Sequence, residues 1–238
     1  MIQETSQPAT PMHDIVTLPI PFRPYYEAGG ITIYHADCRQ VLPFLQRVDL
    51  LLTDPPYGIL NLESGETKAV RKSPRASGSG KLKNRMINTA DFSWDSYAPS
   101  VGVLEAMRDI ADTQIIWGGN YFQLPPCRGV LVWDKCQPWE NFSQVELAWT
   151  NLERPAAIFK HDKSAIDGKV HPTQKPSALM KWCIGLAGDE VKTIVDPFMG
   201  AGTTLVAAKL EGRQAIGIEI NEAYCEAAAN RLAQGVLF

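Results

Sequence analysis

The sequence predicts a three-layer α/β fold in which a mostly parallel sheet carries helices on both faces. Three observations predict it. Residues 191 to 235 alternate strand, helix, strand, helix, the pattern of a parallel crossover. The apolar run VDLLL at 48 to 52 reads as a buried strand leading to Asp54, and VKTIVD at 191 to 196 likewise ends in an acid, Asp196. A glycine-rich turn, MGAG at 199 to 202, then opens a helix.

The elements follow in chain order. Residues 1 to 24 contain Pro8, Pro11, Pro19, Pro21 and Pro24 with little apolar periodicity, and read as a loosely ordered arm ahead of a domain at 25 to 238. ITIYHADC (31 to 38) is a β-branched strand that closes at Asp37; a short amphipathic stretch leads from it to the strand VDLLLTD at 48 to 54. Residues 61 to 93, rich in Gly, Ser, Lys and Arg, offer too few apolar positions to pack and read as a mobile loop. VGVLEAMRDIA (101 to 111) has helical spacing, while TQIIWGGN (113 to 120), GVLVWDK (129 to 135) and SQVELAWTN (143 to 151) alternate as strands. A short polar loop at 151 to 170 precedes HPTQKP. The helix SALMKWCIGLAG follows, with Pro176 near its start and Gly188 past its end. The strand VKTIVD, the helix TTLVAAKLEG, the strand RQAIGIEI and the helix NEAYCEAAANRLAQG complete the chain.

Composition narrows the function. A chain of 238 residues, 45% hydrophobic and 21% charged, is ordinary for a soluble domain, and no apolar run approaches the ~18 residues of a membrane span. Five scattered cysteines, none spaced as CxxC, argue against a disulfide framework and a zinc site, so a reducing cytoplasm and no metal are expected. The N-terminus does not read as a secretion signal. A net charge of -3 argues against binding nucleic acid, with one local exception. Between Ser64 and Arg85 the cations Lys68, Arg71, Lys72, Arg75, Lys81, Lys83 and Arg85 face a single acid, Glu66, giving that segment +6.

Two motifs carry chemistry. In VDPFMGAGTT (195 to 204), an acid at a strand end precedes Gly200 and Gly202, which let a ligand approach the backbone at a helix N-terminus. Glu219, 23 residues after Asp196 at the end of the next strand, suits the two hydroxyls of a ribose. Neither a P-loop nor a GxGxxG fingerprint matches, and a glycine pair alone also fits an ordinary strand-to-helix turn. In TDPPYG (53 to 58), each proline holds the residue before it extended, so Asp54 and a Pro55 or neighbouring carbonyl form a rigid acceptor edge beside the ring of Tyr57. Such an edge suits an exocyclic NH2 on a planar ring. It localises the nitrogen lone pair and stabilises the positive charge that develops when that nitrogen attacks.

At DPPY (54 to 57) and DPFMGAGTT (196 to 204) the sequence resembles the amino-group DNA methyltransferases, the S-adenosylmethionine-dependent enzymes that methylate adenine N6 or cytosine N4. The order of the motifs is similar to that of their permuted β group, as is HPTQKP at 171 to 176, and the resemblance covers roughly residues 30 to 235. It implies a seven-stranded Rossmann-like sheet in the order 31–36, 214–219, 191–196, 49–54, 113–117, 143–149, 129–134. It also implies that Asp54, Pro55, Pro56 and Tyr57 handle the target base. Asp196, Pro197, Phe198, Gly200, Ala201, Gly202, Thr203 and Thr204 would line the methionine end of the cofactor, Glu219 its ribose and Asp37 its adenine. Thr173 or Lys175 would approach its carboxylate, although Lys175 fits equally a solvated lysine at a helix start and His171 reads as a local hydrogen-bonding residue.

The implied substrate is an adenine flipped out of double-stranded DNA. DPPY leans to adenine because the cytosine enzymes more often show serine at its first position, yet cytosine N4 stays open. So do an RNA or protein-amide substrate and, in a different class, a catalytically silent DNA-binding subunit. The intact Asp54 and Tyr57 argue against the last. A homodimer and a cognate restriction nuclease are partners such enzymes take. Only about twenty residues stand where many relatives hold a recognition domain, so a short or relaxed target is expected, with the basic loop at 61 to 93 supplying phosphate contacts. A merely charged, disordered loop is the alternative reading.

Overall fold

A computed structural model describes residues 20–58, 98–137, 143–162 and 174–234. Most of the Pro-rich arm, the whole basic loop with its seven cations, and Thr173 and His171 lie outside the described residues. Among those described, nine strands form one sheet. They are β1 (Tyr26–Ala28), β2 (Ile31–His35), β3 (Val48–Thr53), β4 (Ala111–Trp117), β5 (Val130–Asp134), β6 (Val145–Thr150), β7 (Ala157–Lys160), β8 (Thr193–Asp196) and β9 (Gln214–Glu219). The spatial order is β1-β2-β9-β8-β3-β4-β6-β5-β7.

The seven strands expected from sequence appear in the expected order, and the count is corrected from seven to nine by one short strand at each edge. β1 pairs antiparallel with β2, and β7 pairs parallel with β5 inside the stretch read as a polar loop. Strands of three and four residues carry too few alternations to register as a period. β2, β9, β8, β3 and β4 are parallel neighbours, whereas β6 runs against both β4 and β5.

Alternation along the central strands sorts the core into two layers. Leu50, Leu52, Ile115, Trp117 and Ile194 face α3 (Ser177–Ala187), α4 (Thr203–Leu210) and α5 (Glu222–Ala233). Leu51, Ile116, Val195 and Ile216 face α1 (Cys38–Val41) and α2 (Val101–Asp109). Both faces are therefore covered, as a parallel sheet requires. Ile20 and Phe22 also pack against the second layer.

The β3–β8 seam joins parts of the chain more than 140 residues apart, and one side chain fixes it. The Asp49 carboxylate accepts from the Lys192 and Thr193 amides and from the Thr193 hydroxyl, each at 2.8 Å, while the Asp49 amide donates to Thr193 Oγ1 at 2.9 Å. Burial opposes its charge, but these donors outweigh burial and hold its carboxyl below the usual range. Leu50 then lies beside Ile194 and Leu51 beside Val195, so both strands deliver their last residues to the same sheet edge.

Candidate active site

Two turns emerge side by side at the carboxyl ends of β3 and β8, where open α/β sheets place their ligands. Asp196 ends β8 with only 2% of its surface exposed, and it links the two. Its Oδ1 accepts from Thr53 Oγ1 at 2.7 Å across the seam and from the Phe198 amide at 3.1 Å inside its own turn. Burial raises its carboxyl to about 6 despite these bonds and one from Thr204. Asp196 thus shapes the turn from beneath.

Beyond it, Gly200 (φ 51°) and Gly202 (φ 73°) occupy the left-handed region, and Gly202 starts α4. A Cβ on Gly202 would lie 2.7 Å from the Cβ of Ala228, so the turn is pressed onto α5. From α5, Arg231 donates to the Ala201 carbonyl and braces the turn. The Glu219 carboxylate caps the opposite side, accepting from the Gly200 amide at 3.1 Å and the Asn221 amide at 2.8 Å. Each of its oxygens keeps a further lone pair for a ligand hydroxyl. Asp37 follows β2, next to β9, where it caps α1 through the Arg39 amide at 2.9 Å and pairs with the Arg39 guanidinium. Glycine turn, helix start and ribose-type acid therefore form one cradle.

The second turn builds from Asp54. Its Oδ1 accepts from the Tyr57 hydroxyl at 2.6 Å and its Oδ2 from Lys175 Nζ at 2.5 Å. Lys175 is 3% exposed, which overturns the reading of a solvated lysine, and its ammonium also meets Glu146 Oε2 at 2.9 Å and the Tyr57 oxygen at 3.3 Å. Glu146 in turn holds Lys135 at 2.6 Å through Oε1. Burial opposes the charge of Glu146, but the two ammonium groups lower its carboxyl to about 2. Burial likewise opposes the charge of Lys175, yet Asp54 and Glu146 hold it well above the usual lysine range. Burial pushes Asp54 upward while Lys175 pulls it back.

The ring of Tyr57 is held on one face and at its edge. It stacks on Tyr121 at 4.8 Å and 17°, with Phe122 edge-on at 6.2 Å. The turn that presents these rings needs Gly118 at φ 71°, where a Cβ would fall 2.1 Å from Tyr57 Cε1. Sequence reasoning missed Lys135, Glu146, Tyr121 and Gly118. A charged residue inside the alternating run QVELAW and the pair GG directly after a strand were the available signals.

The fold and these two turns define an α/β protein in which a glycine-rich turn capped by Glu219 abuts the buried Asp54 carboxylate. The DNA methylase family model for N6 and N4 methyltransferases matches residues 130–230. The type II methyltransferase M.ScaI of Streptomyces caespitosus is 26% identical, covering 88% of this chain and 84% of that protein. The PvuII DNA methyltransferase, titled cytosine-N4-specific, aligns with TM-score 0.60 at 16% identity over 92% of each chain. The M1.HpyAVI–SAM complex aligns with TM-score 0.53 at 22% identity over 84% of this chain and 99% of that one. The two structural likenesses bear on the fold. By sequence the chain is similar to the amino-group DNA methyltransferases.

Proposed function

We propose that this protein methylates the exocyclic N6 of an adenine flipped out of duplex DNA, using S-adenosylmethionine, within a short or relaxed target sequence. The observation that carries the reading is the β3–β8 seam, where the Thr53 to Asp196 bond of 2.7 Å ties the donor-type cradle to the DPPY turn.

The residues present fit the cofactor. Two glycines at positive φ admit close backbone approach, and the Glu219 carboxylate retains acceptor capacity for ribose hydroxyls. When bound, S-adenosylmethionine supplies an electrophilic methyl group on a sulfonium. The protein's own work is on the amine. Asp54 and the Pro55 carbonyl accept the amino hydrogens, localise the lone pair, and stabilise the charge as the new N–C bond forms and the C–S bond breaks. One proton then leaves the nitrogen by way of Asp54 to water. Tyr57 stacks on the extruded base, contributing ~1–3 kcal/mol against an extrusion cost of a few kcal/mol.

Aspartate at the first position of DPPY supports adenine over cytosine. The type II names of the curated relatives support a restriction–modification setting with a nuclease partner. Labelled methyl transfer tests the target: poly(dA-dT) should be methylated and poly(dG-dC) should not. The reverse result would assign cytosine N4. Asp54→Ala should abolish transfer while leaving cofactor affinity nearly unchanged; retained turnover would refute the acceptor assignment.

A further inference from the structure

Three charged side chains line up behind the Asp54 carboxylate, and the four groups arrive from four separate elements. Asp54 follows β3, Lys175 lies two residues before α3, Glu146 is the second residue of β6 and Lys135 follows β5. β6 runs against its neighbours, so its first residues reach the carboxyl ends of β3, β4 and β5. The Lys135 amide donates to the Gln144 carbonyl at 3.0 Å, and Trp133 lies opposite Glu146, which keeps Lys135 and Glu146 on one edge.

The ion pairs form a chain, and the Tyr57 hydroxyl joins it at both Asp54 and Lys175. Asp54 meets Lys175 at 2.5 Å, Lys175 meets Glu146 at 2.9 Å and Glu146 meets Lys135 at 2.6 Å. Lys175 aims its three protons at Asp54, Glu146 and the Tyr57 oxygen. Lys135 and Lys175 expose 7% and 3% of their side chains, so water contributes little to neutralising either. Two carboxylates and two ammonium groups sum to zero. Without Glu146 the cluster would carry one uncompensated positive charge beside a nitrogen that becomes positive as it attacks.

We propose that Glu146, clamped by Lys135, is a positioning residue of the methyl transfer. It holds Lys175 on the rear of the Asp54 carboxylate and cancels the Lys175 charge, so that Asp54 can still receive the cation forming on the target amine. The inference rests on the reading of Asp54 as the amine acceptor and adds two residues that act through it.

Glu146→Gln, Lys135→Met, the double variant and Asp54→Asn are compared with wild type. The readouts are single-turnover methyl transfer, cofactor affinity by calorimetry and melting temperature. Glu146→Gln preserves shape and leaves a net charge of about +1 near the reacting nitrogen, so transfer should slow about 10- to 100-fold while cofactor affinity stays within about 2-fold. The double variant restores neutrality and should recover most of the lost rate. A purely structural role predicts instead that the two losses accumulate. The proposal fails if Glu146→Gln transfers at the wild-type rate, or if the folded double variant is slower than both single variants. If Glu146→Gln does not fold, the double variant against Lys135→Met decides on the same criterion. Transfer retained by Asp54→Asn would instead overturn the acceptor assignment itself.

Discussion

Replacing Gly118 by alanine tests how the backbone sets the chemistry. The residue sits at φ 71°, a conformation that costs an L-residue about 1–2 kcal/mol, and its new Cβ would lie 2.1 Å from Tyr57 Cε1. An ordinary contact needs at least 3.4 Å, so the ring must retreat by more than an ångström or the turn must move. The ring has little freedom, being bonded to Asp54 at 2.6 Å and stacked on Tyr121 at 4.8 Å. Overpacking of this kind costs about 1–3 kcal/mol, so the total loss should be about 2–5 kcal/mol in urea unfolding of the cofactor-free protein. Single-turnover transfer should fall with it, and cofactor affinity should not, because the cradle lies on β8 and β9. Tyr57→Ala in the same background should relieve the clash and return the packing component of the stability loss. Wild-type transfer together with stability within about 0.5 kcal/mol of wild type would refute the reasoning.

Other outcomes follow from the same geometry. The buried Asp196 has a carboxyl at about 6, above its unfolded value, so the folded state binds the extra proton and stability falls as pH rises from about 4 to 6; Asp196→Asn should remove about 3 kcal/mol of this dependence, read as melting temperature against pH. Asp49→Ala takes the acceptor from three donors at the β3–β8 seam and should cost about 2–3 kcal/mol in denaturant unfolding, with no direct effect on the bonds around Asp54. Lys175→Met strands the Asp54 carboxylate, leaving Glu146 with Lys135 alone, and should destabilise by about 3–5 kcal/mol, whereas a lysine engaged only with a cofactor carboxylate would leave the cofactor-free protein unchanged. Glu219→Gln should weaken cofactor binding at least tenfold by calorimetry while preserving the melting temperature.

Much of this was legible because the informative residues lie at the ends of strongly patterned strands. VDLLLTD and VKTIVD announced buried strands and their terminal acids, and the glycine turn announced the start of α4, so these elements could be placed from local signals. The seam between those strands came from the permuted order of the two motifs. No local signal marked Asp49, because its partners Lys192 and Thr193 lie 143 and 144 residues away. The burial of Lys175 was hidden for the same reason: a lysine before a helix gives no hint that two carboxylates from distant parts of the chain will pair with it. Glu146 and Lys135 became partners only once the antiparallel register of β5 and β6 set them on one edge. β1 and β7 escaped because three or four residues cannot establish a period.

The central claim is that the donor cradle and the amine acceptor share one sheet edge. A crystal structure with S-adenosylhomocysteine tests it most directly. The account predicts the ribose on Glu219, the adenine toward Asp37 and the sulfur facing Asp54 across the β3–β8 seam. Product bound away from the Gly200–Gly202 turn, or seated there with its sulfur turned from Asp54, would contradict it.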